Sequence, residues 1–278
     1  MATAGTQDGP PGPAGVFHRV ADTYDSVGVP WFGPIAAHLV AELDVGPGER
    51  VLDAGCGRGA VLTRVAEAVG PEGYALGIDL APRMVELTAR DVAGLPHVEV
   101  RLGDASAPDL PPGSFDVVAA SLVLFFLPDP VAALAAWREL LVPGGRVGVS
   151  TFSGQDPRWR AIDELFFPFL PQAMLDARTS GYQGPFGSDE GVEQLLRSAG
   201  LVGVRTVSRT IDAAFRDAEH FVEFSQSHGQ RAMWDQVPAD RLDGLREQVM
   251  TAAGASAGPD GRITFQQDVR YTLGAREH

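Results

Sequence analysis

The sequence predicts an α/β fold, a doubly wound, mostly parallel sheet of seven strands covered by helices. Three observations carry this. Between residues 50 and 152, β-rich runs alternate with amphipathic helical stretches, the pattern of βαβ units. One of those runs, 117–121, has nearly no polar side chain, as suits a strand buried on both faces. Two later runs, 202–211 and 263–273, alternate apolar and polar residues, as half-buried strands do.

Taken in order, residues 1–15 hold seven Gly or Pro and no large apolar residue except Met1. Such a stretch cannot bury enough surface to offset its ordering entropy, so it reads as a disordered tail. Residues 16–44 read as helical, with Ile35, Leu39, Val40 and Leu43 at helical spacing. Gly46-Pro47-Gly48 then breaks the pattern, which makes 16–48 an N-terminal cap. A core follows over 49–153. Its strands fall at 50–54, 73–78, 98–102, 115–121 and 146–152, with helices at 60–69, 82–92 and 130–141. A cap insertion at 154–187 carries helical stretches at 157–168 and 171–178. Ser188 or Asp189 caps a helix that runs to Ser198, and Gly200 ends it. The last part, 188–278, supplies the remaining two strands around a helical insertion at 217–258, whose helical pattern runs to 255.

Composition excludes several chemistries. The chain has 278 residues and a formal net charge of −14, from 22 basic and 36 acidic residues. Every basic residue is Arg; there is no Lys, no Asn, and Cys56 is the one cysteine. Without Lys there is no Schiff-base catalysis, no P-loop lysine and no kinase lysine. One Cys makes neither an intrachain disulfide nor a Cys-rich zinc site, and no metal-binding cluster stands out. Residues 1–150 hold 9 Arg against 18 acids, and 151–278 hold 13 against 18. Both halves are acidic, so no nucleic-acid partner is expected. The longest apolar run, 117–127, is too short to span a bilayer, and no secretory signal opens the chain. The expectation is a cytoplasmic protein with no membrane span and a small-molecule partner.

The most informative stretch is Val51-Leu52-Asp53-Ala54-Gly55-Cys56-Gly57-Arg58-Gly59, where the first strand meets the first core helix. Glycines there let the backbone turn sharply and approach a ligand with no Cβ in the way. The amides that open the next helix point at the same ligand. The spacing is G-x-G-x-G, with Ala60 where a dinucleotide fingerprint has its last glycine, and the strand ends in an acid, Asp53. Both departures count against NAD or FAD. Asp79 ends the second strand, about 20 residues past the loop, where a carboxylate accepts from ribose hydroxyls. In Gly103-Asp104-Ala105, past the third strand, a carboxylate can accept from an adenine amino group. Ser121-Leu122-Val123 closes the fourth strand, and the turn at 141–146 precedes the fifth.

In this order and spacing, over residues 35–152, these markers resemble the class I S-adenosylmethionine-dependent methyltransferases. The resemblance implies a Rossmann-like sheet whose last strand is antiparallel, with S-adenosylmethionine as donor and S-adenosylhomocysteine as product. It puts Gly55 and Gly57 under the cofactor's amino-acid part, with Cys56 between them, and Asp53 at its ammonium. It also puts Asp79 on the ribose, Leu80 on the adenine, and Gly103, Asp104 and Ala105 at the adenine edge. The Ser121 carbonyl would face the methionine moiety. The segment from Phe17 to Asp25 resembles the start of quinone-type C-methyltransferases, in which a tyrosine at the place of Tyr24 lies over the cofactor. The stretch 24–40, with Trp31-Phe32-Gly33-Pro34, is similar to bacterial polyketide methyltransferases, including those that form methyl esters in anthracycline assembly.

Methyl transfer from a sulfonium gains mainly from alignment and exclusion of water. A general base is needed only where the acceptor is weakly acidic. Trp31, Phe32, Trp159, Phe166, Phe167, Phe169, Phe186, Phe224 and Trp234 could line an apolar pocket, and Trp31, Phe32, Phe166, Phe186 and Trp234 are the candidates for the substrate wall. Of the histidines, His18, His220 and His228 fall in cap segments, and His18 and His228 are the candidate bases. The expected function is O-methylation, at a hydroxyl or carboxylate, of a small aromatic or polyketide-like metabolite in antibiotic or other secondary metabolism. C- or N-methylation, or a cofactor-binding cyclase or regulator, are the alternatives.

Overall fold

The computed structural model describes residues 12–172, 174–175 and 184–278. Its strands are β1 Arg50–Ala54, β2 Tyr74–Asp79, β3 Val98–Leu102, β4 Phe115–Ser121, β5 Leu141–Gln155, β6 Val202–Phe215 and β7 Ile263–Ala275. They form one seven-stranded sheet in the order β3-β2-β1-β4-β5-β7-β6. β1 to β5 pair parallel, and β7 runs antiparallel to both its neighbours. The chain leaves the sheet edge at β3 and returns beside β1 as β4. The C-terminal ends of β1 and β4 therefore flank the switch point where open α/β sheets bind ligands.

The helices are α1 Pro13–Val20, α2 Phe32–Leu43, α3 Leu62–Val69, α4 Pro82–Asp91, α5 Pro130–Leu140, α6 Pro157–Glu164, α7 Asp189–Ser198, α8 Ala218–Ser227, α9 Arg231–Trp234 and α10 Ala239–Gly254. α1, α4, α5 and α6 each open on proline, whose fixed φ suits the first helical position and whose missing N–H costs nothing there. Asp129, Asp156, Ser188 and Asp217 cap α5, α6, α7 and α8 through their side chains.

Successive strand residues point to opposite faces, and each face has its own core. Val51 and Val117 pack with Ile35, Leu39 and Leu43 of α2 and with Leu62, Val65 and Val69 of α3. Leu52 and Val118 pack with Leu134 and Trp137 of α5 and with Val192 and Leu196 of α7. Each such side chain contributes roughly 1.5–3 kcal/mol on burial.

Several boundaries differ from the sequence reading. The helical stretch read over 16–44 is two helices separated by an irregular segment from Ala21 to Trp31. Asp25 and Gly28 take positive φ there (56° and 78°), and Pro30 cannot donate to a helix. α1 begins at Pro13, inside the stretch read as tail, and buries Ala14 and Gly15. Residues 1–11 of that tail, and residues 173 and 176–178 of the helix read at 171–178, lie outside the described residues. α3 starts at Leu62 because Gly59 holds φ at 81° and delays the first turn. The helical pattern read over 217–255 is interrupted after Ser227 and again before Ala239, where Gly229 and Pro238 stand. β5 begins at Leu141: Phe115 faces Leu141 while Val117 faces Arg146, so the turn at 141–146 is a bulge inside the strand. β6 runs on past Ile211 to Phe215 because it pairs with the first residues of β7 beyond the rest of the sheet, and β7, which starts at Ile263 as read, continues to Ala275. Among the described residues no helix is long and apolar enough to cross a membrane.

Candidate active site

The loop from Gly55 to Gly59 is laid on β2 by its own amides. The N–H groups of Gly55 and Cys56 both donate to the Ile78 carbonyl, at 2.8 and 2.9 Å. Gly55, Gly57 and Gly59 all take positive φ (80°, 49° and 81°), which L side chains adopt only at a cost. A Cβ on Gly55 would stand 2.5 Å from a Val123 methyl, whereas one on Gly57 would meet nothing within 4 Å. Gly57 therefore presents bare backbone to open space. Cys56 points the other way: its sulfur packs where a Cβ on Gly77 would be 2.9 Å from it. Burial, with Asp53 and Asp79 nearby, holds its thiol well above the usual range, so only the Cys56 backbone can serve a ligand.

Two acids converge under this loop. Asp79 accepts from the Gly57 N–H at 2.8 Å with Oδ2 and from the Ala81 N–H at 2.9 Å with Oδ1. Burial still raises its carboxyl above the ordinary value, against those backbone donors. Asp53 is 1% exposed, and its Oδ2 has no hydrogen-bond partner. Burial, with Asp79 beside it, pushes its carboxyl up to about 8, opposed by the Leu62 N–H. A buried, unpartnered carboxylate oxygen is costly unless a cation or donor meets it.

The neighbouring strand tips complete the floor. Leu80 is 50% exposed, an apolar side chain left facing solvent at the tip of β2. The Gly103 N–H donates to the Asp79 carbonyl at 3.0 Å. Asp104 Oδ1 accepts from the Ser106 N–H at 2.7 Å, and the Ala105 carbonyl accepts from Trp137 Nε1 at 2.7 Å. At the end of β4, the Ser121 and Ser150 hydroxyls lie 2.9 Å apart. Leu122 holds φ at 59°, fixed by its N–H to the Ser150 carbonyl at 3.1 Å. Left-handed backbone at a non-glycine residue stores strain of about 1–2 kcal/mol, and it turns the chain sharply just past Ser121.

Nine rings from distant parts of the chain form a closed circuit of contacts. Phe17 meets Tyr24 (centroids 6.1 Å), Tyr24 stacks on Phe32 (4.4 Å), and Phe32 meets His228 (6.0 Å). His228 lies on Phe224 (4.2 Å), Phe224 meets Trp31 (6.1 Å), and Trp31 meets Phe152 (6.2 Å). Phe152, Phe125 and Phe126 follow (5.8 and 4.6 Å), and Phe126 returns to Phe17 (5.5 Å). The circuit draws on the N-terminal segment, the ends of β4 and β5, and the helical insertion after β6. Arg58 of the glycine loop donates to the Ala21 carbonyl at 2.9 Å and ties the N-terminal segment down. Burial, Asp25 and Asp79 hold the Tyr24 phenol well above its ordinary value, so it stays protonated.

Of the substrate candidates, the structure brings Trp31 and Phe32 into this circuit. Phe186 meets the edge of Phe125 from outside (6.3 Å). Phe166 and Trp234 pack on each other (4.8 Å), buried in the cap, with Trp234 Nε1 donating to Ser225. His18 Nδ1 accepts from the Arg83 N–H at 3.3 Å at the start of α4. His220 uses both ring nitrogens, accepting from the Arg216 N–H and bonding the Val27 carbonyl. His228 Nδ1 lies 2.6 Å from the Phe224 carbonyl, a contact that requires a proton on Nδ1. Phe17, Phe125, Phe126 and Phe152 are the circuit members that sequence reasoning missed. One signal was present: the apolar run 117–127 outlasts β4 by six residues. Among the described residues, no group of three or more His, Cys, Asp or Glu could hold a metal ion.

Residues 51–145 match a family model described as a methyltransferase domain. The chain is 38% identical over 276 residues to nocamycin O-methyltransferase of Saccharothrix syringae, covering 93% of this chain and 96% of that one. It is 40% identical over 162 residues to aklanonic acid methyltransferase DauC of Streptomyces sp. (strain C5), covering 58% and 74%. Among solved structures it shares its fold with the YcgJ protein of Bacillus subtilis, with a TM-score of 0.58, 16% identity, and coverage of 88% and 99%. The chain belongs to the class I S-adenosylmethionine-dependent methyltransferases. Within them it is an enzyme related to the small-molecule O-methyltransferases of polyketide and quinone chemistry: it methylates a small molecule and releases S-adenosylhomocysteine. The residues present fit this cofactor: the Gly57 backbone is bare, a buried Asp53 oxygen has no partner, and Leu80 leaves an apolar side chain exposed at the tip of β2.

Proposed function

We propose that this enzyme O-methylates a flat, polyketide-like metabolite at a hydroxyl or carboxylate oxygen. The observation that carries the reading is the aromatic circuit, whose N-terminal segment Arg58 of the glycine loop ties down. Rings facing a site from several sides favour a flat apolar acceptor and keep water from the reacting atoms. The choice of oxygen draws on the relative named nocamycin O-methyltransferase, and the choice of a polyketide-like acid on the relative named for aklanonic acid.

When bound, the cofactor supplies an electrophilic methyl on a positively charged sulfur. Asp53 takes its ammonium with Oδ2, over the backbone of Gly55, Cys56 and Gly57. Asp79 accepts from the ribose hydroxyls, Leu80 packs on the adenine, and Gly103, Asp104 and Ala105 meet its edge. The Ser121 carbonyl faces the methionine part, and Tyr24 covers it from the N-terminal cap. Residues 49–153 serve as the cofactor core, with 16–48, 154–187 and 217–258 as caps. For a hydroxyl acceptor, His228, a member of the circuit, is the candidate base over His18, which accepts from the Arg83 N–H; a carboxylate acceptor needs none.

The test is turnover with deuteriomethyl cofactor against a set of polycyclic acids and phenols, followed by mass spectrometry and saponification. A mass gain lost on mild alkali marks a methyl ester, and one that survives on a phenol marks an ether. Methyl found on carbon or nitrogen overturns the choice of oxygen.

A further inference from the structure

Beside the aromatic circuit lies a buried polar group that the reading above does not use. Asp163 of α6 is 4% exposed. It accepts from Gln155 Nε2 at 2.9 Å and from Gln230 Nε2 at 2.8 Å. A carboxylate can only accept here, so both amides turn their nitrogens toward Asp163 and their oxygens away from it. The Gln230 oxygen, Oε1, is buried and has no partner. So is the indole N–H of Trp159, one helical turn before Asp163 on the same face of α6.

These groups border the circuit. Gln230 lies two residues past His228, and the residue between them, Gly229, approaches the Phe17 ring so closely that a Cβ would lie 3.6 Å from it. Gln155 lies three residues past Phe152 on β5. The Trp159 ring contacts Trp31 (5.3 Å) and Phe224 (6.2 Å), both circuit members. An unpaired acceptor and an unpaired donor in an otherwise apolar wall are costly to keep dry. One ligand hydroxyl satisfies either of them.

Resting on the proposed acceptor class, we propose that Gln230 determines acceptor specificity, with its side-chain carbonyl, oriented by Asp163, accepting from a hydroxyl on the flat acceptor. Asp163 is then a positioning residue, since it touches no reacting atom. The chemistry favours a hydroxylated ring system over the same skeleton without hydroxyls. A site built to hydrogen-bond a substrate hydroxyl discriminates against the analogue that lacks it, because its own polar group is left unpaired.

The test is calorimetric titration of the protein saturated with S-adenosylhomocysteine, using anthraquinone carboxylic acid and its dihydroxy counterpart. The wild type is expected to bind the dihydroxy acid about tenfold more tightly, the value of one hydrogen bond. Gln230→Leu is expected to remove that preference while still binding the plain acid. Asp163→Asn can donate to the Gln230 oxygen and turn it inward, so it is expected to erode the same preference. The readout is a ratio of two affinities, which a partly unfolded variant does not distort. Equal affinity of the wild type for the two acids, or a preference that survives in Gln230→Leu, overturns this inference alone. Failure of the wild type to bind either acid overturns the acceptor class and this inference together.

Discussion

The Gly57 N–H donates to Asp79 Oδ2 at 2.8 Å across 22 positions of sequence, while Oδ1 of the same carboxylate holds the Ala81 N–H. One side chain thus fixes both the glycine loop and the start of α4. Asp79→Ala is expected to weaken S-adenosylhomocysteine binding about 10- to 100-fold, the loss of a charged hydrogen bond, and to lower the melting temperature. Asp79→Asn keeps an acceptor for one of the two amides and is expected to melt closer to the wild type while still binding weakly. Calorimetry and thermal unfolding on the two variants check this; unchanged affinity in both contradicts the ribose assignment.

Gly55 and Gly57 are expected to respond differently to alanine. Both pay roughly 1–2 kcal/mol for a side chain at positive φ. At Gly55 the new methyl also strikes Val123, whereas at Gly57 it enters open space. Gly55→Ala should therefore lose the more stability. Gly57→Ala should fold nearly as well but bind cofactor poorly, because its methyl occupies the bed. Melting curves with and without S-adenosylhomocysteine separate the two.

Asp53 predicts the pH behaviour of the cofactor-free protein. Its carboxyl rises from an ordinary 3.8 to about 8 on folding. Between those values the folded protein holds a proton that the unfolded chain lacks, so stability falls as pH rises through that window and levels off above it. Asp79, raised by its own burial, acts in the same direction. Cofactor binding runs opposite: an ammonium pairs with ionised Asp53, so affinity is expected to climb with pH up to about 8. Asp53→Asn should flatten the stability slope and the affinity slope together. Melting temperature and calorimetric affinity measured against pH decide it, and a wild-type affinity independent of pH refutes the pairing.

The stacked pair of Tyr24 and Phe32 supplies a fourth prediction. Phe32→Ala opens the circuit between Tyr24 and His228 and is expected to raise KM for the acceptor by about tenfold, the value of one aromatic contact with its buried area. Tyr24→Phe keeps the stack and removes a phenol that burial holds well above its ordinary value, so the pH–rate profile should keep its shape. A profile that loses a limb in Tyr24→Phe would instead make that phenol a participant in proton transfer.

The glycine loop and the acids at the strand tips were legible in the sequence because their placement is local. A glycine loop between strand and helix, and acids at strand tips, are the same few residues in sequence and in space. The aromatic circuit was not, because its members come from positions as far apart as Phe17, Phe125, Phe152 and His228. An aromatic side chain reads the same whether it ends buried or exposed: Phe166 and Trp234, expected to line the site, pack on each other in the cap, while Phe126 of the circuit is 44% exposed. The helical reading of 16–44 failed at Asp25, Gly28 and Pro30, where turn chemistry overrides apolar spacing.

β7 stands inside the sheet, with β5 on one side and β6 on the other, and β6 pairs with β7 alone. Translation, however, delivers β6 first and β7 only after the helices between them. At about 5–20 residues per second, the 47 residues between Phe215 and Ile263 delay β7 by about 2–10 s. During that time β6 has no neighbour to zip onto, and both its edges are unpaired. The sheet is completed by inserting a middle strand last, which makes this stage of synthesis the one at which a chaperone, or a second nascent chain, would find the most backbone to hold.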